Sequence, residues 1–259
     1  MTSVMMPTKC QPLPPLLMYR FSPAQYERMM ACGILCAEDP IDFSAGLIIV
    51  KGRSLAPAVA VASKVNGNGQ GPVPVRRFTV EEYHRLLEEG ILTEDDRVEL
   101  LEGWIVEKMT RNPPHDVAVA LALKTVGKKL TKKWHCRGQS AITSDTGEPE
   151  PDVVVVRGRE CDYLENHPRP RDVGLLIEVA DKTLSTDRDI KGPSYARVNI
   201  PFYWIVNLAD EAVEVYSDPT GPDPEPCYRK RENFRPGDKV PLTLDGKVIG
   251  RIAVNDLLP

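Results

Sequence analysis

The chain has 259 residues, of which 42% are apolar, enough to bury a substantial core. Its formal charge of −4 excludes a broad electrostatic grip on nucleic acid, since strong duplex binders carry a basic domain; any contact with DNA is expected to be local. Six cysteines lack a CxxC pair or zinc-ligand spacing, and no signal peptide or apolar run of roughly 18 residues is present, which predicts a cytoplasmic protein with reduced thiols and no membrane partner.

Residues 1–19 form a Pro-rich tail. The stretch Arg20–Lys51 then returns without gaps 57 positions later as Arg77–Lys108, with Arg20, Phe21, Tyr26, Arg28, Gly33, Ile34, Leu35, Asp39, Gly46, Ile48 and Lys51 all recurring. Each copy predicts the same unit: an N-cap at Ser22 or Thr79, an amphipathic helix, a stop at Gly33 or Gly90, and a hairpin turning at Gly46 or Gly103. Thr79 and Glu82 make a capping box. Residues 20–52 therefore read as a partial duplicate of the unit that opens a domain at residues 77–259. The alternative is a vestige that packs on the surface or stays loose. Residues 53–76, rich in Ala, Gly, Asn and Pro, have linker composition.

His115–Lys133 predicts a helix with an apolar stripe through Val117 and Leu121 and a basic stripe through Lys124, Lys128 and Lys132. That stripe is either a phosphate contact or a solvated face. Trp134–Ser144 reads as a strand and turn. Val153–Val156 and Leu175–Val179 are short β-branched runs of the kind buried on both faces of a sheet. The loop between them, with His167, is expected at the rim of the site. Thr186–Val198 is expected to be largely helical, although Gly192-Pro193 counts against it and a start near Pro193 is the alternative; strands follow at 202–207, 212–216, 228–233, 240–244 and 247–252, the last two joined at Asp245-Gly246.

The chemistry lies in the two buried runs. Asp152 opens the first and Glu178 interrupts the second, and an isolated carboxylate in a buried strand costs several kcal/mol unless compensated. Taken singly, Asp152 caps a turn and Glu178 pairs with Lys191 or Arg188. Taken together, they predict a shared divalent cation, Mg²⁺ or alternatively Mn²⁺, because carboxylate and water ligands favour hard ions.

Pro151-Asp152, Ile177-Glu178-Val179, the four-residue register Asp187, Lys191, Tyr195, and the run Ile200–Val206 resemble the Uma2 (DUF820) family of the PD-(D/E)xK nuclease superfamily. Arg97–Gly103 and Pro113-Pro114-His115 fit the same resemblance. It implies a restriction-endonuclease-like α/β fold: a mixed β-sheet flanked by helices, here with an added C-terminal β-hairpin. It also implies metal ligation by Asp152, Glu178 and the Val179 carbonyl. The superfamily's lysine two positions after the glutamate is Ala180 here; the resemblance points to Lys191 in its place, with Lys182 as the rival. Glu99 is expected to hold the metal through water or to orient Lys191, or else to be an exposed strand residue. His115 touches the scissile phosphate or caps its helix.

The expected function is a Mg²⁺-dependent endonuclease acting on DNA, with a homodimer implied by the superfamily resemblance. The alternative is a catalytically weak or inactive module of the same fold that binds nucleic acid or protein.

Overall fold

A computed structural model describes residues 17–51 and 75–259. Most of the predicted tail, and all but the last two residues of the predicted linker, lie outside the described residues. Each copy of the repeat begins with a helix: α1 (Pro23–Ala31) and α2 (Val80–Glu88). Both are started by a reciprocal capping box, Ser22 with Gln25 and Thr79 with Glu82, so the Ser22 box adds to the one legible in the sequence. A hairpin follows in each: β1 (Ile41–Ser44) with β2 (Leu47–Val50), and β3 (Val98–Leu101) with β4 (Trp104–Glu107). Their two-residue turns, Ala45-Gly46 and Glu102-Gly103, have positive φ at both positions, the geometry that matches strand twist.

After α3 (Pro113–Gly127) come β5 (Trp134–Gly138), β6 (Val153–Arg157) and β7 (Val173–Ala180). A helical segment follows as α4 (Leu184–Thr186), a π turn over Asp187–Lys191, and α5 (Gly192–Arg197). The chain then forms β8 (Phe202–Asn207), β9 (Ala212–Pro219), β10 (Tyr228–Phe234), β11 (Lys239–Leu244) and β12 (Lys247–Ala253).

Strands β5 to β10 make one six-stranded sheet in the order β10-β9-β8-β7-β6-β5. Only β7 and β8 run parallel, because the helical segment between them crosses from one end of the sheet to the other, while tight turns or loops join the rest antiparallel. The result is a mixed, mostly antiparallel α/β fold. β11 and β12 form the separate C-terminal hairpin.

Alternation along the strands divides the core into two layers. Val153, Val155, Leu175, Ile177, Val179, Trp204 and Val206 face α3 and the C-terminal hairpin. Val154, Val156, Leu176, Ala180, Tyr203 and Ile205 face α5. Every residue of β7 is buried, as a strand covered on both faces requires. Both repeat copies share a further core, with Phe21, Met29 and Ile48 packed among Phe78, Leu86 and Ile105. The first copy thus packs against the second through this core. No helix of the described residues is long and apolar enough to cross a membrane.

One helix prediction needs correction. α3 starts at Pro113, is capped by Asn112, and ends at Gly127; Lys128, Lys129, Lys132 and Lys133 lie beyond it. Its buried face is Ala118, Val119, Ala122 and Val126, whereas Val117 is exposed. Pro113 and Pro114 fit the first turn, where no backbone donor is needed, and so set the helical phase earlier than His115. The helical segment expected over 186–198 forms, and Gly192-Pro193 does not break it. Pro193 has no backbone N–H and would crowd the carbonyl four residues back; widening to a π turn, in which the Gly192 N–H donates to the Asp187 carbonyl, lets the helix continue.

Candidate active site

The sheet brings the two carboxylates together. In the β6–β7 register Val153 opposes Ile177, which sets Asp152 across from Glu178 on the face covered by the helical segment. Asp152 is fixed by backbone: its Oδ2 accepts from the Val179 amide at 2.9 Å. It also lies 3.1 Å from His115 Nε2, delivered by the first turn of α3.

Glu178 is held from the opposite layer. Its Oε1 accepts from Lys191 Nζ at 3.0 Å and from the Tyr195 hydroxyl at 2.7 Å. Lys191 closes the π turn and Tyr195 follows one turn later on α5, so the spacing of four stacks both donors over the strand. Lys191 Nζ is also 3.6 Å from Glu99 Oε1, and Glu99 Oε2 accepts from the Glu150 amide at 2.8 Å. Glu99 is thus a buried residue that ties β3 of the second repeat copy to the Asp152 segment, not an exposed strand glutamate.

The electrostatics are lopsided. Glu99, Asp152, Glu178 and Asp187 are all buried around one ammonium. Burial pushes the Glu178 carboxyl up to about 8; Lys191 opposes the rise, and the other three carboxylates reinforce it. Asp187 is raised to about 6, again chiefly by burial. For Lys191, burial alone would lower the ammonium, but the surrounding carboxylates raise it well above its ordinary value. The hydrogen bond with Asp152 raises His115 against its own desolvation. Asp152 is held low because His115 and the Val179 amide outweigh burial.

These groups line a cavity of about 110 Å³ bounded by Glu99, His115, Asp152, Glu178, Val179 and Lys191. The six residues expected to act or to hold the metal, Glu99, His115, Asp152, Glu178, Val179 and Lys191, all line it. Lys182 does not line it. Ala180 is buried among Tyr195, Tyr203 and Ile205 on the helix-covered face. The basic residues at the rim are Lys108 and Arg111, not the lysines after α3. His167 belongs to a different cavity with His84 and Glu148, so the 157–173 loop is not the rim of this one. Three participants went unassigned: Asp187, Leu17 and the Tyr195 hydroxyl. The Asp187, Lys191, Tyr195 register carried the signal for two of them; Leu17 carried none.

The donor set suits a hard cation. Among the described residues, Asp152 and Glu178 each spend one carboxylate oxygen on protein donors, and Asp152 Oδ1 and Glu178 Oε2 accept no hydrogen bond. No three His, Cys, Asp or Glu side chains among the described residues form a ready ligand cluster. An ion here would rest on two carboxylates, a carbonyl and water, the kind of ligation Mg²⁺ favours.

Residues 80–249 match the model of the Uma2 family, described as "Putative restriction endonuclease". Among solved structures, the chain is similar to "a putative nuclease belonging to DUF820" from Anabaena variabilis ATCC 29413, at 17% identity and a TM-score of 0.51. That similarity covers 70% of this chain and 97% of the other. A comparison with curated proteins gave no match.

Proposed function

Since the chain belongs to the Uma2 family, we propose that it is a metal-dependent endonuclease hydrolysing DNA phosphodiester bonds at the Asp152–Glu178 cavity. Asp152, Glu178 and the Val179 carbonyl would hold Mg²⁺, with Mn²⁺ as a substitute. When bound, the ion would polarise the phosphate and lower the pKa of a water nucleophile.

The chain's own residues do the rest. The Val179 amide and His115 orient Asp152, and Tyr195 orients Glu178. Lys191 keeps its proton because carboxylates surround it, and it places a fixed positive charge where negative charge develops on the phosphate. Glu99, 3.6 Å from the same ammonium, positions Lys191 together with Glu178. Leu17 and Val106 supply apolar wall.

The observation that carries this reading is Lys191 Nζ at 3.0 Å from Glu178. The alternative, an inactive binding module, is motivated by the lysine missing from its usual strand position, the acidic net charge and the duplicated N-terminal unit; an ammonium delivered from the helix answers the first of these. The test is cleavage of supercoiled plasmid and labelled single-stranded DNA in Mg²⁺, Mn²⁺ or EDTA, for wild type and Glu178→Ala. Metal-dependent cutting lost in the variant is expected. A folded wild type that cuts neither substrate in either metal would reject the nuclease in favour of the binding module.

A further inference from the structure

The two repeat copies touch each other through matched contacts. Subtracting 57 from a residue of the second copy gives its counterpart in the first. The Tyr19 amide bonds the Ile105 carbonyl at 3.0 Å, and the counterpart Arg76 amide bonds the Ile48 carbonyl at 2.7 Å. Met18 bridges Val106, and Val75 bridges Ile49. Arg28 Nη1 donates to the Gly90 carbonyl at 3.0 Å, and Arg85 Nη1 donates to the Gly33 carbonyl at 3.3 Å. Phe21 meets its own counterpart, Phe78, with ring centroids 5.9 Å apart.

A set in which i touches j′ while j touches i′, with one residue meeting its own counterpart, is the signature of a two-fold self-complementary interface between identical subunits. Here both halves lie on one chain. We propose that residues 17–51 are a built-in second copy, occupying in cis the face that the 75–108 unit would otherwise offer to another molecule of this chain. The arm of the first copy does more than cover that face. The Glu107 amide bonds the Leu17 carbonyl at 2.8 Å, and Leu17 lines the carboxylate cavity. A homodimer of the intact protein would have to use a different face.

Full-length variants and sedimentation velocity test the proposal. Gln25→Ala with Arg28→Glu removes the side-chain bonds that the first copy makes to Ile91, Glu89 and Gly90. Met29→Asp is added if these do not release it. Release is read by loss of hydrogen-exchange protection at the Tyr19 amide. The expected results are a concentration-dependent doubling of the wild-type mass once the first copy is released, and a return to the wild-type mass when Arg85→Glu is added. A released first copy with the wild-type mass unchanged would overturn the proposal. A wild-type dimer that Arg85→Glu dissolves would also overturn it. None of these readouts depends on DNA cleavage, so failure here and failure of the nuclease reading are distinguishable.

Discussion

Lys191 reaches Glu178 from thirteen positions downstream, with Nζ 3.0 Å from Oε1, while Ala180, two positions after the glutamate, packs into the core. Lys191→Ala should therefore lower kcat for plasmid cleavage by about 10²–10³-fold, the usual cost of losing one donor aimed at developing charge. Lys182→Ala should leave the rate within about twofold, because Lys182 does not line the cavity. Single-turnover gels on both variants decide between the two lysines.

Ala180→Lys should not rescue Lys191→Ala. Ala180 is fully buried beside Tyr195 and Tyr203, so an ammonium there would cost on the order of several kcal/mol in desolvation. Urea denaturation of the double variant should show a large loss of stability without restored cleavage. Recovery of cutting would mean that the strand position can still serve.

Mg²⁺ should raise the melting temperature of wild type. At a concentration 100 times the dissociation constant, the gain is about 2.7 kcal/mol for one site. Asp152→Asn should abolish it, and differential scanning calorimetry with and without EDTA measures both.

Glu214 should make stability fall in acid. Burial alone would raise its carboxyl, but bonds from Arg188 and Tyr216, together with Arg231, hold it below its ordinary value. The group therefore stabilises the fold above the unfolded carboxylate pKa, and that contribution is lost as pH falls through the lower folded value. Glu214→Gln should cost about 2 kcal/mol at pH 7, under the 3–5 kcal/mol of a fully buried broken pair because both arginines are partly exposed. The difference from wild type should shrink as pH is lowered through the folded-state titration of Glu214, as urea melts across pH would show.

Much of the fold was legible because it is local. β-branched runs marked β6 and β7, Thr79 and Glu82 marked the start of α2, and Asp245-Gly246 marked the last hairpin. The carboxylates of the site stood out because charge is costly in such runs. What escaped depends on partners distant in sequence. Which face of α3 is buried is set by the sheet it packs on, so Val117 looked like core and is not. The burial of Asp187 depends on a π turn that proline imposes. The packing of one repeat copy against the other is a tertiary choice that their local similarity does not reveal, and Leu17 joins the cavity only through it.

The π turn has a mechanical consequence. Asp152 and Glu178 belong to the sheet, while the ammonium rides on a helical segment with no strand pairing of its own. Unwinding of that segment would withdraw the charge and leave both carboxylates standing. On the proposed mechanism, holding an ion and stabilising a reacting phosphate would fall to two parts of the molecule, the sheet and the helical segment, an arrangement closed to an enzyme whose lysine and glutamate share one strand.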